Sequence, residues 1–115
     1  MIGLALTVVS FIQPPNRLVG RWQKRLPDGS VGMGIFRSDS SYDLVVNGKV
    51  FISGKYYVRQ DTLVESDGAC RLPGTYRLHF FTQDSVRLTV IRDSCHGRRE
   101  GYDGLTMGRV KPTKP

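Results

Sequence analysis

Cys95, His96, Arg98 and Arg99 fall within twelve residues, DSCHGRREGYDG from Asp93 to Gly104, together with three glycines. A thiol beside an imidazole is the pairing that makes a thiolate nucleophile, because the neighbouring base lowers the thiol pKa. Adjacent residues of an extended chain point apart, however, and no third group stands nearby in sequence to orient the imidazole. Metal chemistry fares no better. The two histidines, His79 and His96, have no second ligand at H-x-x-x-H or C-x-x-C spacing. No nucleophile elbow, phosphate loop or G-x-G-x-x-G occurs, and the GMGIF stretch from Gly32 to Phe36 lies inside a strand pattern, where its glycines mark a bend or bulge. The expectation is therefore no enzyme, no cofactor and no metal, with the polar block acting as a clasp that closes the fold.

The elements that would carry such a clasp must come from one domain, since the chain has 115 residues. Seventeen Lys and Arg against ten Asp and Glu leave a net charge of +7. That charge would suit nucleic acid, an anionic membrane surface or acidic ligands, but the basic residues are scattered rather than clustered. Residues 1–15, MIGLALTVVSFIQPP, carry no charge at all, so the imbalance lies wholly in 16–115. Ile2 to Ile12 has the length of a signal-peptide apolar core and is shorter than the ~20 residues that span a bilayer. Residues 1–15 are thus expected to be a leader, with an N-terminal strand as the alternative. Residues 16–111 are expected to form the domain, and 112–115 a tail.

From Leu18 onward the pattern is all-β, with no window of helical period. Strands are expected at Val19–Arg25, Val31–Arg37, Tyr42–Val46, Lys49–Ser53, Lys55–Arg59, Thr62–Glu65, Thr75–Phe81, Ser85–Arg92 and Leu105–Val110. Short strands at this regular spacing indicate an antiparallel up-and-down meander. Pro27-Asp28-Gly29 and Asn47-Gly48 supply turns, because proline presets φ and Asn-Gly accepts the positive φ of a type I′ hairpin.

Two hairpins share a pattern. GKYYVRQDTLVE (Gly54 to Glu65) and GTYRLHFFTQDSVRL (Gly74 to Leu88) both run G-x-Y, an apolar residue two further on, then Q-D-[TS]-[LV]. In the second, a three-residue turn at Thr82 to Asp84 pairs Phe80 with Val86, Leu78 with Leu88 and Tyr76 with Val90. All six then share one face, leaving Thr75, Arg77, His79, Arg87 and Thr89 on the other. The same facing turns Tyr56, Val58, Leu63 and Glu65 inward. Glu65 stands where its counterpart is Leu88, and it either sits hydrated at a rim or serves as a polar anchor in an apolar interior.

Extending the second register brings Arg71 opposite Cys95, so Cys70 and Cys95 arrive at one end of the same hairpin. A disulfide between them is expected, which agrees with an exported chain.

LVGRWQ, Leu18 to Gln23, places G-x-W at the start of the first strand of an all-β meander. In this it resembles the lipocalins and the wider calycin superfamily, and GTY followed by DSCHGRREGYDGL is similar to small bacterial secreted lipocalin-like domains with a D-x-C-x-x-R block. The resemblance covers Leu18 to Val110. It implies a small closed barrel of about eight strands whose tryptophan, here Trp22, closes one end under an arginine. Arg98, Arg99 and Arg109 are the candidates, with one of Arg98 and Arg99 expected to pack on Trp22 and Arg109 next in line. Unlike typical lipocalins, the chain is short and is expected to lack a C-terminal helix.

The resemblance also implies a ligand. Trp22, Tyr56, Val58, Leu63, Glu65, Tyr76, Leu78 and Leu88 would line its site, and it would be small and mostly apolar, with a cationic or hydrogen-bond-donating group if Glu65 is reached. Fatty acids are disfavoured unless an arginine also turns inward. The expected setting is secreted, periplasmic or in the cell envelope, with neither nucleic acid nor a membrane span. Two other readings stand beside it. One is a packed barrel serving as an envelope or protein-interaction module. The other is an OB-like nucleic-acid binder, suggested by Lys55-Tyr56-Tyr57-Val58-Arg59, against which export, a disulfide and meander topology all count.

Overall fold

A computed structural model of the chain describes residues 16–111, so the expected leader and tail lie outside the described residues. Eight strands follow one another in chain order: β1 (Gly20–Arg25), β2 (Val31–Phe36), β3 (Ser41–Val46), β4 (Lys49–Arg59), β5 (Thr62–Asp67), β6 (Gly74–Thr82), β7 (Ser85–Arg92) and β8 (Thr106–Arg109). Each pairs antiparallel with its neighbour, and β8 returns to β1, with Trp22 opposite Arg109 and Gln23 opposite Gly108. The result is a closed up-and-down barrel, which removes the exposed edges an open sheet would present.

The register of β6 and β7 matches the alternation: Phe80 faces Val86, Leu78 faces Leu88 and Tyr76 faces Val90. Their turn is shorter than expected, because a bulge between Phe80 and Thr82 lets Thr82 pair with Ser85. Tyr56 lies opposite Glu65, and Val58 opposite Leu63. Asn47 and Gly48 have φ of 48° and 81°, as a type I′ turn requires. β2 holds its register throughout, so its glycines mark no bulge; a Cβ on Gly34 would meet the Phe36 ring at 2.9 Å.

Two further expectations are corrected. Lys49–Ser53 and Lys55–Arg59 are one strand, because Gly54 stays in the ladder opposite both Tyr42 and Asp67. The chain also has a helix, α1 (His96–Tyr102), inserted between β7 and β8. At seven residues, two of them glycine, it is too short and too poor in helix formers to show a periodic signal. It is held by what flanks it. The Asp93 carboxylate accepts from the Cys95 amide before it, and the Asp103 carboxylate accepts from the Val90 amide after it.

The strand ends form two poles. At one lie the start of β1, the β2–β3, β4–β5 and β6–β7 turns and the end of β8. At the other lie the remaining connections, including α1 and the disulfide between Cys70 and Cys95, whose Cα atoms are 6.3 Å apart. Leu18, Trp22, Tyr42, Leu63, Tyr76, Val86 and Leu88 are almost wholly excluded from solvent and fill the barrel between the poles.

Candidate functional site

At the first pole the G-x-W motif explains itself. The Arg109 guanidinium lies over the Trp22 indole, 4.3 Å from the ring centroid, and donates to the carbonyls of Val19 and Arg17 at 2.9 and 2.6 Å. A Cβ on Gly20 would stand 2.7 Å from Arg109 Nη1, and the backbone there has φ of 135°, so glycine is needed both for space and for conformation. The expectation that Arg98 or Arg99 packs on Trp22 is therefore corrected. β8 pairs Arg109 directly with Trp22, whereas α1 stands at the opposite pole, where Arg98 is buried and Arg99 is exposed.

Arg98 instead turns into the barrel. Its five N–H groups are all engaged by oxygen acceptors. Nε donates to Asp93 Oδ2 at 2.8 Å and Nη2 to Asp93 Oδ1 at 2.9 Å, a bidentate pair. Nη2 also donates to the Leu72 carbonyl at 2.6 Å, and Nη1 to Asp67 Oδ2 and the Cys70 carbonyl at 3.3 and 3.2 Å. The clasp reading of the block thus holds at a different place. One guanidinium ties α1 to the β5–β6 connection, and the disulfide ties the same two segments covalently.

Asp93 also accepts from the Tyr76 hydroxyl, and Asp67 Oδ1 accepts from the amides of Ala69 and Cys70 at 2.8 and 2.7 Å. Burial opposes ionisation of Asp93, yet the bonds from Arg98, Tyr76 and the Cys95 amide hold its carboxyl below the usual range. The bond from Arg98 to Asp93 raises the guanidinium pKa still further.

Glu65 is left over. It is 2 % exposed, and its Oε1 lies 3.8 Å from Arg98 Nε, whose hydrogen points to Asp93 instead. Among the described residues neither Glu65 oxygen has a hydrogen-bond partner. Burial pushes the Glu65 carboxyl up to about 8; Arg98 opposes this, while Asp67 and Asp93 add to it. Burial likewise raises the hydroxyls of Tyr42 and Tyr102, with the Glu65 charge contributing at both. The hydrated alternative for Glu65 is corrected by this burial, although its pair with Gly74 is the last of the β5–β6 ladder.

The paired hairpin pattern has a steric cause here. Each glycine precedes an inward tyrosine by two residues, so it too faces inward. At Gly54 the missing side chain admits the Tyr42 ring, 2.8 Å from where a Cβ would be. At Gly74 it admits Asp93 and Arg98, at 2.6 and 2.9 Å.

Beside this cluster, at the disulfide pole, lies a cleft of about 540 Å³. Leu44, Phe51, Ile52 and Ala69 form its apolar side, and Tyr102, Arg98 and Asp67 its inner side. The residues expected to line a site lie elsewhere. Trp22, Tyr56, Leu63, Tyr76, Leu78 and Leu88 are buried against one another, with the partly buried Val58 packed on them. Strand alternation predicts facing but not depth, so it cannot tell a side chain that fills the barrel from one that borders a space.

The sequence reading does not single out Asp67, Asp93, Tyr42 or Tyr102 as neighbours of Glu65. A signal existed for two of them. Asp67 follows Glu65 by two residues on one strand and so shares its face, and Tyr102 follows Arg98 by four, one helical turn. Among the described residues no group of three His, Cys, Asp or Glu side chains is arranged to hold a metal ion, and no helix is long and apolar enough to cross a membrane.

Fold and cluster together define an eight-stranded antiparallel barrel with a disulfide-tethered helix at one pole, an architecture consistent with a lipocalin-like fold. No family model matches the chain, and no curated protein matches it.

Proposed function

We propose that this chain is an exported, lipocalin-like domain that binds a small, mostly apolar molecule through the cleft at its disulfide pole. The observation that carries this reading is an apolar cleft that shares Arg98, Asp67 and Tyr102 with the polar cluster around Glu65. The Glu65 carboxyl lacks a hydrogen-bond partner among the described residues; it does not itself line the cleft, but Arg98, whose Nε is 3.8 Å from it, does, together with Asp67 and Tyr102. A buried polar group without a partner costs ~1–3 kcal/mol, so a ligand that supplies one recovers part of that cost on binding. The apolar wall would hold the ligand's body, and the polar atoms its head. The disulfide supports export, since such bonds persist in oxidising compartments.

Arg98 does turn inward, the condition under which a fatty acid would have been acceptable. Its donors are nevertheless consumed by Asp93, Asp67 and two carbonyls, so a carboxylate ligand would meet three carboxyl groups and no free guanidinium hydrogen. A packed barrel acting through its outer surface is the second reading, favoured by the filled interior around Trp22, Leu63 and Leu88. Native mass spectrometry of protein purified from its source separates them. A retained small molecule supports the first, and protein of bare chain mass that also binds no apolar fluorescent probe overturns it.

A further inference from the structure

Cations that are scattered along the sequence are gathered by the barrel onto the outer face of β4 to β7. Side chains alternate along a strand, so the neighbours of the buried Tyr56, Tyr76 and Leu88 point outward. β4 presents Lys55, Tyr57 and Arg59, all exposed. β6 presents Arg77, His79 and Phe81, and β7 presents Arg87. The ladders set them side by side: Arg59 lies opposite Thr62, Thr62 opposite Arg77, and His79 opposite Arg87. The acidic residues are elsewhere. All ten Asp and Glu fall within the described residues: four in hairpin turns, one on β3, two on α1 or just after it, and Glu65, Asp67 and Asp93 buried around Arg98. Only Asp61 and Asp103 border the face, in the β4–β5 turn and beside Val90. Among the described residues Lys55, Arg59, Arg77 and Arg87 make no ion pair.

We infer that this face docks the domain on a bilayer of anionic phospholipids. Charge complementarity carries the inference, and the apolar side chains set among the cations select the partner. Tyr57 and Phe81 are both more than half exposed, and the Arg87 guanidinium lies 5.5 Å from the Phe81 ring centroid. A membrane surface meets both kinds of group at once: lipid phosphates pair with the guanidinium and ammonium groups, while the rings enter the headgroup layer. Between β4 and β5 a hollow of about 260 Å³ sets Lys55 and Ser66 against Tyr57, Val64 and Pro73, a cation and a hydroxyl beside an apolar wall. Glu65 also borders this hollow, but both its carboxyl oxygens are shut off from the surface. Single-stranded nucleic acid is the rival polyanion. It needs a groove that tracks its backbone and free ring faces on which bases stack. The outside of a closed barrel is convex, and Phe81 is already flanked by His79, at 4.7 Å between centroids, and by Arg87.

The test is cosedimentation of the full chain with vesicles of phosphatidylcholine, alone or mixed in equal parts with phosphatidylglycerol. Binding to the mixed vesicles is expected, weakening as salt is raised. Binding to phosphatidylcholine alone should be weaker, and it measures what the uncharged residues 1–15 contribute. A basic residue close to an anionic surface is worth about fivefold in affinity. The double variant Arg77→Gln/Arg87→Gln should therefore lose roughly 25-fold on mixed vesicles, and Lys55→Gln/Arg59→Gln the same. Either pair decides the matter if the other fails to fold. Lys24→Gln/Arg25→Gln makes the same change of charge at exposed positions on β1, across the barrel, and should lose little. An equal loss in that control would show that net charge alone is at work and overturn the assignment to this face. Equal binding to the two kinds of vesicle, binding to neither, or tighter binding to a single-stranded oligonucleotide than to mixed vesicles at equal phosphate concentration would overturn the membrane as partner.

Discussion

The guanidinium carbon of Arg109 lies 4.3 Å from the centroid of the Trp22 indole, so the last strand is locked to the first at one pole. The other pole is locked by Arg98, which gathers Asp93, Asp67 and the carbonyls of Cys70 and Leu72. Two arginines thus close two ends by different physics. One lies half-buried over an aromatic face; the other is desolvated and saturated with hydrogen bonds.

Arg109→Ala removes a cation–π contact worth ~1 kcal/mol and three charged hydrogen bonds to backbone carbonyls, so a loss of about 2–4 kcal/mol is expected. Trp22 fluorescence should change with it. Arg99→Ala, at an exposed position, should do neither. Urea denaturation followed by emission of the single tryptophan checks both. Unchanged midpoint and emission in Arg109→Ala would remove this residue from the closure.

Arg98→Ala should be the more damaging substitution, because it leaves Asp93 and Asp67 buried without their cation. Breaking a buried pair in this way costs about 3–5 kcal/mol. A midpoint within experimental error of wild type would contradict the saturated geometry described above.

Reduction tests the covalent lock at the same pole. The disulfide spans a sequence separation of 25, for which loop-closure entropy corresponds to about 3.5 kcal/mol. Thiol titration of denatured, unreduced protein should find no free thiol, and the reduced protein should unfold at lower denaturant by that amount. Two free thiols would refute the bond.

Glu65 sets a pH dependence whose sign is opposite to that of a stabilising ion pair. Its carboxyl is raised from 4.5 to about 8, so between those values the folded chain binds a proton that the unfolded chain has lost. Stability should fall as pH rises through this window, by up to ~1.4 kcal/mol per unit, and level off above it. Glu65→Gln should abolish the slope and be more stable than wild type at pH 9. Parallel melting-temperature profiles of the two proteins from pH 5 to 9 would argue against burial of this carboxyl.

Gly74→Ala places a methyl group 2.6 Å from Asp93 Oδ2 and 2.9 Å from Arg98 Nη2. Because both partners are anchored by other bonds, the substitution should cost about 1–3 kcal/mol, whereas Gly68→Ala, with open space around it, should cost little. Equal midpoints for the two variants would contradict this assignment.

What could be read from the chain itself were the local periodicities. Alternation along Tyr76–Phe80 and Val86–Val90 determined the β6–β7 register and Asn47-Gly48 determined a turn, whereas Cys70 and Cys95 meet although that register shifts at Thr75 and the ladder ends before either of them. Register and turn depend on neighbours in sequence or on one hairpin, so strand geometry suffices. The tertiary structure alone decided what crosses the barrel. It put Arg109 rather than Arg98 or Arg99 on Trp22, placed Glu65 in the interior rather than at a rim, and drew Asp67, Asp93, Tyr42, Tyr102 and Arg98 around it. Those outcomes turn on strand tilt, on the closure of β8 against β1 and on a helix too short to announce itself. They arise where the sheet meets itself in space, and no periodicity of two records that meeting.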